Sequence, residues 1–291
     1  MTSSTPKYVI ITPVRDEEQH LTLTIESMVK QSIVPQEWVI VNDGSTDATG
    51  DIIDDAARKH SWIHACHRVN RGFRKSGGGV VDAFNDGYRL LQSTDWDFLV
   101  KLDGDLSFEE QYFEKCFAEF RLNPKLGVGG GSICHMIQGR KQLEECPKFH
   151  VRGATKIYRR SCWEAIGGFW PAPGWDTMDE VKANMKGWST ETFDELHLIH
   201  HRLTGTADGL WGGIVKNGRA NYVCGYHPLF MLGKCARRLG RRPYFVGSLA
   251  LLTGFITGYF KRIPQVDDPA AIAYLRKQQL RKLTGRQTIW K

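Results

Sequence analysis

Asp97-Phe-Leu-Val-Lys-Leu-Asp-Gly-Asp105 is an apolar run of strand length that stops on two carboxylates. The run Asp97 to Leu102 is apolar without strict alternation, which predicts a strand covered on both faces, as in a parallel sheet. Asp103 and Asp105 stand one residue apart just past its end. Two such carboxylates can share a divalent cation, and hard oxygen donors suit Mg2+ or Mn2+. Alone, Asp-Gly-Asp reads more readily as a solvated turn.

The chain upstream repeats the pattern. Tyr8 to Thr12 predicts a buried strand, Pro13 to Glu18 a polar loop, and Glu18 to Gln31 a helix carrying Leu21, Ile25, Met28 and Val29 at helical spacing. Trp38 to Val41 predicts a second strand. It ends in Asn42-Asp-Gly-Ser-Thr-Asp47, a turn whose Ser45 or Thr46 can cap a helix bearing Ile52, Ile53, Ala56 and Ala57. A strand at Ile63 to Cys66 and a helix at Val80 to Leu91 precede the opening segment. A helix at Glu109 to Arg121 and a glycine-rich strand at Gly127 to Ile133 follow it. This alternation predicts an α/β domain, a mostly parallel sheet with flanking helices. Ligands of such sheets bind beyond the carboxyl ends of the strands, where Asp16, Asp43 and Asp103 all fall. The second half predicts strands at 154–159 and 196–201, helices at 163–167 and 179–185, and then mainly helices.

The bulk composition fits a soluble fold with a sizeable core and excludes disorder, with 41% hydrophobic and 24% charged residues among 291. The net charge of +7 points to an anionic partner: nucleic acid, an acidic membrane surface or a phosphorylated substrate. Much of the excess lies in Ala236 to Arg242 and Arg276 to Arg286. Seven cysteines without a Cys-x-x-Cys pair argue against a disulfide framework and a structural zinc site. They suit a reducing compartment. No apolar leader precedes the first strand, so the catalytic portion is expected in the cytoplasm.

Residues 243–260 form 18 positions without a charge, between Arg242 and Lys261-Arg262. As a helix they reach about 27 Å, just short of a hydrocarbon core of about 30 Å. Three readings stand: a span, a helix lying at the membrane surface, or a helix packed on the catalytic domain. Basic flanks at both ends favour surface attachment.

Val9-Ile-Ile-Thr-Pro-Val-Arg-Asp-Glu17, Val39-Ile-Val-Asn-Asp-Gly-Ser-Thr-Asp47 and Leu102-Asp-Gly-Asp105 follow one another in order. Ile166-Gly-Gly-Phe169 and Gly174-Trp-Asp176 come later. Together, over roughly residues 7–205, they resemble the family 2 glycosyltransferases. The resemblance implies a GT-A fold, Rossmann-like, with a helical C-terminal extension. The catalytic domain would run over 1–225, nucleotide-binding to about 130 and acceptor-binding from 131, with a basic, membrane-associating extension at 226–291.

The resemblance also implies roles. Asp43 would bind the nucleobase, Pro13, Arg15 and Glu17 would line the nucleotide pocket, and Asp103 would sit near ribose and metal. Asp105 would ligate Mn2+ or Mg2+. A late His in such a fold completes the metal shell or contacts the diphosphate, and in His200-His201-Arg202 the ligand taken is His201, with His200 open as the alternative. Asp176 would be the base that deprotonates the acceptor hydroxyl, giving inversion, with Asp179 as the alternative. Lys182 and Gly187 take the places of a usual Arg and Gly. Two departures stand out. Trp175 replaces the Glu that usually precedes the base, and Ala83-Phe-Asn85 lacks the Arg of the usual Ala-Arg-Asn. Arg71, Arg74 or Lys75 would supply that charge, with Lys75 taken into the nucleotide site.

The implied partners are a nucleoside diphosphate sugar, a saccharide or lipid-linked acceptor and the inner face of a membrane, with no nucleic acid. The implied activity is inverting sugar transfer in polysaccharide or glycolipid synthesis. Nucleotidyl transfer is the competing chemistry, but it would need a glycine-rich loop after the first strand, which Thr12 to Glu17 lacks. A nucleotide-sugar-binding protein without turnover is the competing class, and the retained carboxylates argue against it.

Overall fold

The computed structural model describes residues 5–73, 77–137, 139–202 and 209–290. In chain order the first half holds β1 (Tyr8–Val14), α1 (Leu21–Val29), β2 (Glu37–Asn42), α2 (Thr49–Lys59), β3 (Ile63–His67), α3 (Gly78–Leu90), β4 (Phe98–Leu102), β5 (Leu106–Phe108) and α4 (Tyr112–Leu122). The second half holds β6 (Leu126–Ile137), β7 (Arg140–Leu143), β8 (Thr155–Arg159), α5 (Arg160–Ile166), α6 (Trp175–Met185), β9 (Ser189–His200), α7 (Gly209–Val223), α8 (Pro228–Arg238), α9 (Val246–Phe260) and α10 (Pro269–Leu283).

The described strands form one sheet in the order β3-β2-β1-β4-β8-β6-β9-β5, with β7 on β6. Strands β3, β2, β1 and β4 run parallel. Past β4 the sheet becomes mixed: β8 is antiparallel to β4 and β6, β9 is parallel to β6, and β5 is antiparallel to β9. The α/β class expected from the sequence is observed, with a run of four parallel strands in the first half and, among the described strands past β4, one parallel pair, β6 with β9.

Strand periodicity sorts the core. Side chains alternate across a strand, so Tyr8 and Ile10 enter one layer while Val9 and Ile11 enter the other. The first layer is closed by α1, α2 and α4 through Leu21, Met28, Ile53, Phe113 and Phe117. The second is closed by α3, α5 and α6 through Val81, Phe84, Trp163 and Ala183. Helix α6 also gives Met178 and Val181 to a third cluster shared with the C-terminal helices. It is the seam between the sheet and the tail.

In the tail, α9 lies along α7. The helices approach so closely that a Cβ on Gly218 would come 2.0 Å from the Leu251 carbonyl oxygen, and one on Gly254 would come 2.0 Å from that of Val215. These glycines are therefore what lets the two helices pack. Helix α9 covers 15 residues, and no helix among the described residues is long and apolar enough to cross a membrane. The spanning reading of 243–260 is corrected on that ground. By its packing α7 belongs with the tail, so the helical unit begins ahead of the boundary expected near 225.

Candidate active site

The parallel strand ends place the first elements. Pro13 closes β1 opposite Val41, and the Asp43 amide donates to Val14 O at 2.8 Å. The two loops that follow bind each other. The Asp16 amide donates to Ser45 Oγ at 3.0 Å, the Thr46 amide to Asp16 Oδ1 at 2.9 Å, and the Glu17 amide to Thr49 Oγ1 at 2.8 Å. Ser45 thus serves the neighbouring loop, and α2 begins without a side-chain cap.

Asp43 is buried, and Arg71 grips it with two hydrogen bonds, Nη1 to Oδ1 at 2.7 Å and Nη2 to Oδ2 at 2.6 Å. Arg68 binds the same carboxylate. Arg15 donates to Asn70 Oδ1 at 3.1 Å and to Phe73 O at 3.3 Å. Arg15, Asp43 and the segment 68–73 therefore form one wall, and Arg71 is engaged by Asp43 rather than left for phosphates. Lys75, and Arg74 beside it, lie outside the described residues. Glu17 accepts from Arg202 Nη2 at 2.7 Å, which ties this loop to the end of β9.

Asp103, Asp105 and His200 form a cluster whose ligand atoms all lie within 4.8 Å of one another. His200 Nε2 sits 3.0 Å from Asp105 Oδ2. Burial works against charge on Asp105, but the hydrogen bond and charge of His200, with Arg202 and Lys101 behind them, hold its carboxyl below the usual range. Two carboxylates and an imidazole fit Mn2+ or Mg2+. The expectation of His201 is corrected. Register pairs His200 with Leu106 across β5 and β9, and neighbouring residues at a strand end face opposite ways. His201 turns away, with Nε2 2.9 Å from Ser107 Oγ and its ring stacked on His20.

Asp103 is held from behind by Lys101, an almost fully buried residue of β4. The same ammonium donates to Gly153 O at 2.6 Å. Gly153 touches both carboxylate sites: its carbonyl takes the ammonium that holds Asp103, and a Cβ added to it would lie 3.4 Å from the Asp176 Cβ.

Asp176 lies in the first turn of α6. Gly174 starts that helix at φ +89°, a left-handed conformation that favours glycine, and a Cβ there would strike Cys224 Sγ at 2.2 Å. Burial disfavours charge on Asp176, but His150, Lys156 and Arg152 outweigh it and hold its carboxyl below the usual range. It faces a cavity of about 810 Å³ between α6 and the C-terminal helices.

Asp179 does not share that cavity. Its side chain is fully buried, 2.8 Å from Lys156 Nζ, and it accepts from Tyr158 OH. Glu180 is equally buried. It lies 2.9 Å from Lys156 Nζ, 2.7 Å from His150 Nδ1, and accepts from the Val151 amide at 2.7 Å. Burial raises the Asp179 pKa to about 6, against the pull of Lys156. The alternative base is thus corrected: its oxygens are saturated and shut away from any acceptor. Lys156 also donates to the Asp176 carbonyl, so this buried network fixes the first turn of α6. Trp175 is explained too. Its ring stands 5.6 Å from both Lys101 and Lys156 ammonium groups, where a cation–π contact is favourable. Lys182 stays outside the site, 3.8 Å from Asp268.

Arg68, Lys101 and Lys156 escaped sequence reasoning, while His200 was singled out only as one of the His200–His201 pair. Arg68 and Lys156 meet carboxylates far along the chain, and for Lys101, two residues from Asp103, a buried Lys inside the apolar strand run Phe98 to Leu102 was the usable signal.

The model of Glycosyl transferase family 2 matches residues 9–162. The chain belongs to this family. An uncharacterized glycosyltransferase of Bacillus subtilis, EpsJ, is 29% identical over 126 residues, 43% of this chain and 34% of that protein. An undecaprenyl-phosphate mannosyltransferase of Micrococcus luteus is 25% identical over 151 residues, 50% of this chain and 59% of that protein. The chain thus spans less than two thirds of either relative. Among solved structures, the mannosyltransferase PcManGT of Pyrobaculum calidifontis, in complex with GDP-Man and Mn2+, aligns with a TM-score of 0.58 at 15% identity. That alignment covers 98% of this chain and 77% of that one, a likeness of fold. This family 2 glycosyltransferase therefore has the GT-A fold.

Proposed function

We propose that this glycosyltransferase moves a sugar from a nucleoside diphosphate sugar to an acceptor hydroxyl, with inversion at the anomeric carbon. The observation that carries the reading is the pairing of two carboxylate sites across Gly153: Asp103, Asp105 and His200 on one side, Asp176 on the other. Pro13, Arg15, Glu17 and the Asp43–Arg71 pair line the nucleotide side. Asp103, Asp105 and His200 would hold Mn2+ or Mg2+, which when bound neutralises charge on the departing diphosphate. The Mn2+ and GDP-Man named for PcManGT support this donor chemistry. Asp176 accepts the proton of the attacking hydroxyl as the new glycosidic bond forms and the bond to the diphosphate breaks. Its depressed pKa keeps it ionised at neutral pH.

The acceptor is a saccharide or a lipid-linked molecule, met at a membrane surface. Supporting that surface, α9 and the turn before it expose Phe245, Val246, Leu249, Ile256 and Phe260, between Arg241-Arg242 and Lys261-Arg262. Apolar side chains ringed by cations suit an anionic bilayer face. The cell's inner membrane face, and polysaccharide or glycolipid synthesis, follow from this reading.

A panel of nucleotide sugars, screened for thermal stabilisation with Mn2+, tests the proposal. A native-state ligand at a hundred times its Kd adds about 2.7 kcal/mol. One donor class is expected to stabilise the protein with Mn2+ and to lose the effect with EDTA or in Asp105→Ala. Stabilisation by no member, or equal stabilisation of Asp105→Ala, overturns it.

A further inference from the structure

The cavity beyond Asp176 has more hydrogen-bond donors than its own acceptors satisfy. Six Lys or Arg side chains line it against two carboxylates, Glu145 and Asp176, and one of the six, Arg152, is paired with Glu144 at 2.9 Å. Glu145 is spent at the rim, 3.3 Å from Arg241. Deeper in, Lys234 has no ion-pair partner among the described residues. It reaches Asn221 Oδ1 at 3.5 Å, and its ammonium stands 5.4 Å from the Tyr226 ring. Its side chain is open to the cavity, yet enough protein surrounds its ammonium that burial lowers its pKa. Because Asn221 turns its oxygen to Lys234, its Nδ2 is the group left over, and that buried donor has no acceptor. Arg238 Nε is also buried without an acceptor. An unmet buried donor costs about 1–3 kcal/mol, so the unmet donors of Asn221 and Arg238, grouped with an ammonium that has no ion-pair partner among the described residues, call for a ligand made of acceptors. Beside polar His150, Thr177 and Asn217, the wall carries an apolar and aromatic stretch: Phe149, Ile214, Phe230, Leu251, Leu283 and Trp290.

We infer that this cavity binds a phosphate ester carried by the acceptor, with Lys234, Arg237, Arg238 and Asn221 around the phosphate and the apolar wall along an attached hydrocarbon. The inference rests on the proposed transfer reaction, in which Asp176 faces the acceptor. The phosphate is a handle that sets the acceptor hydroxyl toward Asp176 and takes no part in bond making. Charge-assisted hydrogen bonds suit the role, being short and about twice as strong as neutral ones. A lipid phosphate and a soluble sugar phosphate share this chemistry, and the apolar wall selects the lipid.

The test is equilibrium binding of farnesyl phosphate, farnesol and glucose 1-phosphate to the full chain in EDTA. The metal-dependent donor site is then silent. Farnesyl phosphate is expected to bind at least tenfold more tightly than farnesol and more tightly than glucose 1-phosphate. Lys234→Met, and independently the exposed Arg237→Gln, are expected to weaken it about tenfold or more while leaving Mn2+-dependent GDP or UDP binding unchanged. Asp105→Ala is expected to do the reverse. Farnesol binding as well as farnesyl phosphate, or indifference to both cavity variants, overturns the phosphate site. Tighter glucose 1-phosphate overturns the lipid source. Nucleotide binding that survives Asp105→Ala overturns the donor-site reading instead, so the two failures are distinct.

Discussion

The donor edge and the acceptor cavity are built on different principles. On the donor edge each charge is already answered: Asp43 by Arg71, Asp105 by His200, Asp103 by Lys101. Every carboxylate hangs from a strand end and is held by the sheet. In the acceptor cavity the cations outnumber the carboxylates, and most of them, Lys216, Lys234, Arg237 and Arg238, are carried by helices that meet only in the folded tail. The contrast teaches that a preorganised site has its charges balanced before substrate arrives, while a site short of acceptors records the chemistry of what it takes. Asp176 stands at the join of the two.

The sharpest break between the regions is Asp176→Asn. Loss of a positioned general base costs about 10²–10⁴-fold in rate, so transfer should fall by that much while Mn2+-dependent nucleotide affinity holds. Asp105→Ala should cost about 10²-fold or more in kcat/KM and, unlike Asp176→Asn, should weaken nucleotide binding as well. Equal loss of nucleotide affinity in both variants would erase the distinction between the two regions.

Legibility divides along the same line. Asp43, Asp103 and Asp105 could be read because in a parallel sheet each strand runs directly into its own loop, so site residues and their scaffold are neighbours in sequence. His200 could not be told from His201, because the choice depends on how β9 lies against β5, and a shift of one residue reverses it. Asp179 looked like a partner of Asp176 because one helical turn separates them. What the spacing cannot show is Lys156, brought from β8 to neutralise it. The cavity donors Asn221, Lys234 and Arg238 come from α7 and α8, and no local pattern joins them to Asp176. The apolar stretch at 243–260 was visible, but its partner helix α7 was not.

Asp179→Ala sharpens the comparison from the stability side. It strips one carboxylate from buried Lys156, and breaking a buried pair costs about 3–5 kcal/mol. Urea unfolding should show that loss, and transfer per folded molecule should fall far less than in Asp176→Asn. If Asp179→Ala folds normally and is as inactive as Asp176→Asn, the two carboxylates have been assigned the wrong way round.

Gly254→Val tests whether the tail is an integral wall of the cavity. Overpacking costs about 1–3 kcal/mol, and the farnesyl phosphate affinity should drop with Mn2+-dependent nucleotide binding intact. Unchanged melting and unchanged affinity would mean that α7 and α9 do not pack as described.

The smallest effect is a pH dependence at His150. Burial opposes its charge, but Glu180 raises its pKa above 6.5 in the folded protein. A histidine raised on folding contributes stability that is full below pH 6.5 and fades as pH climbs through the folded value. Wild type should therefore exceed His150→Gln in unfolding free energy more at pH 6 than at pH 9. A gap that widens with pH would reverse the sign assigned to the His150–Glu180 pair.

The most direct measurement is the anomeric configuration of the first product, read by proton NMR during Mn2+-supported transfer from the donor that the stabilisation screen selects. With Asp176 activating the acceptor hydroxyl across Gly153 from the diphosphate site, the account predicts a single displacement and a product inverted relative to the donor. Retained configuration would contradict it.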